Sequence, residues 1–362
     1  MQTQHNTSMK EAKSFDYGLA GLRPVRGAEA VRIWLLVIAA FVYAMILVGG
    51  ATRLTDSGLS ITEWKPVTGV LPPLDAEAWA EEFQKYKDLT AEYALQNKGM
   101  SLAEFKQIFW WEWGHRLLGR FVGVVFLLPF LAFWALGWTT AGLRTRLWGV
   151  FALGGLQGFI GWWMVSSGVG DTTRVDVAPY RLMTHFSLAL LIICGAVWVW
   201  LSIGQSQRNI NDRRALPWAI ALLCVASLQM MLGALVAGLD AGRTYTDWPL
   251  MDGNFIPKSY WVGGLGVRNL FENVATAQFN HRIVAYILII LAATAVWRVK
   301  DAAANIFRVI LGLVIAQALL GIYTLINAAP LWYGLAHQAL GAVLLIATTI
   351  ALWRCVSRVA KA

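Results

Sequence analysis

Eight apolar runs of about 20 residues interrupt this chain, at 32–51, 115–137, 147–166, 182–203, 215–238, 277–297, 306–327 and 332–353. A helix needs about that length to cross the hydrocarbon of a bilayer. Inside lipid, every backbone polar group must be satisfied within its own segment, so such runs fold as helices. The run at 182–203 is the clearest, whereas the second and sixth open on polar residues. Composition agrees: 57% of residues are hydrophobic and 14% charged, against roughly 25% charged in a soluble domain. The chain is therefore expected to be an all-α integral membrane protein. Its spans carry many Gly, Ala and Ser residues, which suits close helix packing in lipid. Residues 1–31 are polar and the first run is too long for the apolar core of a secretory signal, so no signal peptide is expected and 1–31 reads as a cytoplasmic tail.

The basic residues orient the bundle. Lys10, Lys13, Arg23, Arg26 and Arg32 precede the first run, Arg144 and Arg146 follow the second, and Arg208, Arg213 and Arg214 follow the fourth. Arg298, Lys300 and Arg308 flank the next turn, and Arg354, Arg358 and Lys361 end the chain. These segments fall on one side, expected to be cytoplasmic, with both termini there and the host membrane a cell inner membrane. The opposite loops are longer and more acidic; 74–104 alone carries Asp75, Glu77, Glu81, Glu82, Asp88, Glu92 and Glu104. The net charge of +9 is thus spread over five inner segments, which argues against nucleic-acid binding. Cys194, Cys224 and Cys355 lie in apolar runs or at the inner edge, so no disulfide is expected and packing explains them.

The chain repeats itself. LTDSGLSITEW (54–64) aligns with GLDAGRTYTDW (238–248), matching Asp56 to Asp240, Gly58 to Gly242 and Trp64 to Trp248. GHRLLGR (114–120) answers NHRIVAY (280–286), LQGFIG (156–161) answers AQALLG (316–321), and THFSLAL (184–190) answers AHQALGA (336–342). Four landmarks recur in one order. The chain is expected to be two tandem four-helix bundles, 32–205 and 206–362, joined by a basic link near 204–214. Four spans separate equivalent positions, so the repeat is parallel and not inverted.

Apart from His5, each histidine sits near the outer end of an even-numbered span: His115, His185, His281 and His337. An ionisable residue within a span is costly and points to function, and four at equivalent places point to ligation. Imidazole suits zinc, copper, iron and haem. Zinc wants four ligands, or three and a water, and each half supplies only two histidines. Two opposed imidazoles suit the axial positions of a haem iron that already has four porphyrin nitrogens. Gly119, Ala189, Ala285 and Gly341 lie one turn past each histidine, on the same face, where a flat macrocycle needs clearance.

The halves differ at one telling position. Glu112 lies three residues before His115, whereas Gln278 lies three before His281. A half that reacts with a substrate has use for a base or a stabilising charge. Catalysis is thus expected in the N-terminal half (Glu112, His115, His185) and a fixed cofactor in the C-terminal half (His281, His337). Arg116 and Arg282, like Arg53 and Arg243 in the outer loops, are candidates to meet haem propionates. Solvation of Glu112, or a pair with Arg116, is the plainer alternative. A di-haem electron-transfer cytochrome would explain the four histidines but not Glu112. A transporter would explain the repeat and leave the histidines idle.

The segments GGATRLTDSGLSITEWKPVTGVLPPL (49–74), EWGHRLLGR (112–120), FNHRIVAY (279–286) and LAHQALGAV (335–343) resemble the haem A synthase family, and the likeness spans nearly all eight runs. The resemblance implies an oxidoreductase that converts haem O to haem A by oxidising a ring methyl to a formyl group, for terminal oxidases. It implies haem b as cofactor on His281 and His337, substrate haem on His115 and His185, and Glu112 as the essential acid. It also implies contact with the enzyme that makes haem O and an electron donor or acceptor; association between copies of the chain stays open. One branch of the family carries paired cysteines in its outer loops. This chain has none there and resembles the cysteine-free branch of some bacteria and of mitochondria.

Overall fold

The structure is a computed structural model that describes residues 26–203, 210, 214–300 and 304–356. Its helices are α1 (Ala28–Leu54), α2 (Ala76–Leu89), α3 (Ala91–Leu95), α4 (Leu102–Ala135), α5 (Ala141–Val165) and α6 (Pro179–Ser202). The second half adds α7 (Ala215–Gly238), α8 (Ala241–Thr244), α9 (Asn269–Glu272), α10 (Val274–Arg298), α11 (Asn305–Ile326) and α12 (Leu331–Val356). Eight of them, α1, α4–α7 and α10–α12, are long and apolar enough to cross a membrane. Most of the expected tail, most of the basic link and the end of the chain lie outside the described residues. The three cysteines are free thiols.

One packing pattern is used twice. In the first half α1 packs on α4 and α6, and α5 on α4 and α6; in the second, α7 packs on α10 and α12, and α11 on α10 and α12. Between the halves, α6 meets α7, α12 meets α1, and α6 meets α12. Exchanging the halves maps each contact onto another, so a pseudo-two-fold axis runs between α6 and α12. The aligned residues Asp56 and Asp240 both take φ of 48°, a left-handed turn that Asp tolerates better than most residues. The same corner therefore ends α1 and α7. Leu35, Ile38, Leu147, Ile193, Leu222, Phe307 and Ala342 belong to one buried core that runs through both halves. The outward faces stay apolar: Val124, Leu128, Ile290 and Leu319 are each more than half exposed. Water would penalise that surface by about 25 cal/mol per Å², whereas hydrocarbon accepts it.

The second run departs from its expected start. Helix α4 begins at Leu102, not near 115, and a capping box joins Ser101 and Glu104 at its first turn. At about 51 Å it outreaches the hydrocarbon. Its extra turns place Phe105 and Phe109 against Trp79, Phe83 and Tyr86 of α2. Apolar counting stopped at the polar GHR, but the helix continues because its outer portion has its own apolar partner.

Polar ties close the interface between the halves. Gln338 Nε2 on α12 donates to Ile46 O on α1 (2.7 Å). Arg53, at the end of α1, donates to Asp240 (2.6 Å) and Asp56 (2.9 Å), and approaches Asp176 (3.4 Å). One cation thus binds the equivalent aspartates of both halves, while Ala237 stands at the aligned position in α7. The Arg53 side chain is 10% exposed and its partners 31–44%. Removing one member of a buried pair costs about 3–5 kcal/mol, and the partial exposure of the carboxylates lowers that to about 1–3. Arg53→Ala should accordingly lower the thermal midpoint of the detergent-solubilised protein, with Arg53→Lys recovering part of the loss. An unchanged midpoint would show that this cation does not hold the halves together.

Candidate functional site

Each span histidine lies against a glycine of the neighbouring helix. A methyl at Gly49 on α1 would sit 3.1 Å from His115 Nε2, and one at Gly161 on α5 would sit 3.0 Å from His185 Cε1. The second half repeats this, with Gly233 on α7 at 3.2 Å from His281 Cε1 and Gly321 on α11 at 2.8 Å from His337 Cε1. These separations are tighter than an ordinary carbon contact of about 3.5–4.0 Å. Any side chain here would push the ring away. The expected clearance one turn past each histidine is used differently. A methyl at Gly119 would sit 3.5 Å from Met45 Cε, and one at Gly341 would sit 2.8 Å from Met230 Sδ.

Glutamines fix three of the rings. Gln157 Nε2 donates to the His185 carbonyl (3.0 Å) and lies 3.3 Å from its Nε2. Gln317 does the same for His337, at 2.9 and 3.4 Å. Gln229 Nε2 lies 3.2 Å from His281 Nε2. The second nitrogen of His185, His281 and His337 is buried without a partner. His281 and His337 stand 6.4 Å apart between ring centroids, at 74°. A histidine nitrogen sits about 2 Å from a first-row metal, so two imidazoles sharing one iron have centroids about 6 Å apart. The pair therefore fits a bis-imidazole haem in spacing. The glutamines were missed as ring partners although Gln157 and Gln317 were landmarks of the repeat. The available signal was the spacing Gln157–Gly161, Gln229–Gly233 and Gln317–Gly321, which puts each pair on one helix face.

Glu112 is 3% exposed, and its carboxylate is fully engaged. One oxygen accepts from Arg116 Nη2 (2.6 Å). The other accepts from Ser60 Oγ (2.7 Å) and Ile61 N (2.7 Å). The solvated alternative is thereby excluded, while the pairing with Arg116 is present. At the aligned place Gln278 donates to Tyr245 O (2.8 Å), and its Oε1 has no partner. Arg116 donates to Ile61 O (2.7 Å) and Glu63 O (2.9 Å), and Arg282 to Tyr245 O (3.1 Å) and Leu250 O (2.8 Å). Ile61 and Tyr245 are equivalent residues. Both arginines therefore pin the loop that follows the preceding odd span, a duty the charge pattern alone did not reveal. Arg116, Arg120 and Lys65 also border a cleft of about 310 Å³ between this loop, α2 and α4.

A second buried acid lies nearby. Glu92 on α3 is 2% exposed and its Oε2 is unpartnered. Burial pushes its carboxyl up to about 8, with the charges of Asp176, Asp56 and Glu112 adding and the Tyr86 hydroxyl opposing. Burial raises Asp176 as well, against the pull of Arg53.

Residues 32–349 match the model of the cytochrome oxidase assembly protein family, COX15-CtaA. The chain is 54% identical to the heme A synthase of Hyphomonas neptunium over 336 residues, 92% of this chain and 95% of that relative. It is 49% identical to the heme A synthase of Bradyrhizobium diazoefficiens, covering 92% and 94% of the two chains. With the heme A synthase of Maricaulis maris the figures are 47% identity, 90% and 96%. The chain belongs to the haem A synthase family. The match covers both halves of the repeat.

Glu92 supplies a pH signature for this face of the family fold. Its folded-state value lies above the ordinary 4.5, so the folded protein keeps that proton longer than the unfolded chain. Stability is therefore lost as pH rises from about 4.5 to about 8 and is level beyond. Thermal unfolding across that window should show the decline in the wild type and a flatter profile in Glu92→Gln. Parallel profiles would exclude Glu92 as its origin.

Proposed function

We propose that this chain oxidises a ring methyl of haem O to a formyl group, giving haem A, with substrate in the half 32–205 and haem b in the half 206–362. The observation that carries this reading is an asymmetry within a repeat. Both halves have a glycine-backed histidine pair, but only one places a carboxylate one turn from its histidine, Glu112 on α4. A half that only retains a cofactor has no use for that charge. An electron-transfer cytochrome would give no reason for confining it to one half.

His281 and His337 are the proposed ligands of haem b, which supplies one-electron redox chemistry when bound. His115 and His185 hold the substrate iron and so set where the ring methyl lies. Converting a methyl to a formyl group removes two hydrogens, adds one oxygen and makes the carbon electron-poor on the way. Glu112 is held in one position by Ser60, Ile61 and Arg116. A fixed negative charge stabilises a developing positive centre without reorganising at the moment of reaction. Arg116, on the cleft, and Arg282, whose Nε is buried and unpartnered, are proposed to meet haem propionates. The helices place the protein in a membrane with multiple passes; the inner membrane with cytoplasmic termini is the proposed setting. Haem O synthase and an electron acceptor are the proposed partners.

Two measurements test this reading. His281→Ala or His337→Ala should abolish the low-spin haem b spectrum of the purified protein, because bis-imidazole ligation needs both rings; a full, unshifted spectrum in either variant refutes the assignment. Glu112→Gln should keep haem b, accumulate haem O or a hydroxylated intermediate, and slow haem A formation about 10²–10³-fold. Extraction and chromatography of the haems reads the outcome, and near wild-type haem A would leave Glu112 a loop clamp only.

A further inference from the structure

The glycines that back the four histidines each have a companion one helical turn earlier on the same face. On three of the four helices that companion is glutamine: Gln157 before Gly161, Gln229 before Gly233 and Gln317 before Gly321. Each reaches the ring its glycine backs, with amide-to-ring distances of 3.3, 3.2 and 3.4 Å. On α1 the companion of Gly49 is Met45. Gly49 backs His115 as closely as Gly233 backs His281, but meets its Nε2 where the other three glycines meet Cε1, so on α1 the missing amide goes with a differently turned ring. The Met45 methyl reaches 3.5 Å from where a Cβ on Gly119 would stand, one turn along from His115. The His115 ring is thus the one histidine of the four that meets no glutamine among the described residues.

A glutamine amide satisfies a ring nitrogen in either protonation state, donating N–H to a bare nitrogen or accepting from N–H through its oxygen. Such a partner fixes the tautomer and the ring orientation, and its loss typically weakens a histidine's hold on metal 10–100-fold. A thioether offers only a weak acceptor and no donor. The C-terminal pair is doubly anchored, by Gln229 and Gln317. The N-terminal pair is anchored on His185 alone.

We propose that Met45 is a positioning residue that leaves His115 the releasable ligand, so that the N-terminal half exchanges its haem while the C-terminal half retains its own. This assignment rests on the haem reading given above. An enzyme whose substrate and product are both haems has to let go of one and keep the other. A missing amide does this without changing the iron ligands.

The test uses full-length protein purified in detergent from cells that make haem O. Excess apomyoglobin scavenges released haem, and chromatography identifies which haem leaves and how fast. Wild type should release haem O and haem A faster than haem b. Met45→Gln should slow release of haem O and haem A about 10–100-fold and leave haem b release as it was. Met45→Leu, equally without an amide, should keep release fast, which separates hydrogen bonding from packing. Gln229→Met should speed haem b release by a similar factor, and it decides the matter alone where Met45→Gln does not fold. Unchanged release in both Met45→Gln and Gln229→Met overturns the assignment, as does equal slowing by Met45→Leu. Wild-type protein that contains only haem b would refute the functional reading first, and the assignment with it.

Discussion

An imidazole can approach a helix backbone this closely only where that helix has no side chain. That steric condition is met four times, at Gly49, Gly161, Gly233 and Gly321. Each contact joins an odd span to an even one: α1 to α4, α5 to α6, α7 to α10 and α11 to α12. The rings therefore lie at helix seams, with the neighbouring backbone against them. The two spans that carry the paired rings of the second half, α10 and α12, both pack on α7, so a single helix holds both in register. Van der Waals contact places all four rings, and glutamine hydrogen bonds hold three of them.

The outer surface follows from the same seams. The loop after each first span must fold back over the site, and its carbonyls need donors. Arg116 and Arg282 supply them one residue past each histidine. Histidine and clamp are thus adjacent on one helix in both halves. In the first half the clamp has a carboxylate within it, and in the second an amide. The same scaffold thus carries an arginine–carboxylate pair on one side and an arginine with a neutral amide on the other.

Much of this was legible in the residues. Eight spans, the parallel repeat and the four histidines need only apolar run length, a search for self-similarity and the cost of an ionisable group in lipid. The start of α4 was not, because its outer turns are held by Phe105 and Phe109 against α2, a tertiary contact that no local window contains. The glycines that back the rings lie on the preceding spans and were not legible, because helix proximity and not sequence spacing selects them. Glu112 was legible as an anomaly but not as a clamp, since Ser60 and Ile61 are distant in sequence. Arg53 was visible as a charge, and its three partners were not, because they come from three separate corners.

The contact of α1 with α12 and that of α6 with α7 are one interface made twice across a pseudo-two-fold axis. Two separate four-helix subunits related by a true dyad would make the same isologous contact. In such a dimer every substitution appears twice, so an arginine at the place of Arg53, or a carboxylate at the place of Glu112, would be present in both halves. Covalent fusion breaks that constraint. Arg53 can then have Ala237 as its counterpart, and Glu112 can have Gln278. The axis thus relates two halves that share one packing pattern and differ at single positions.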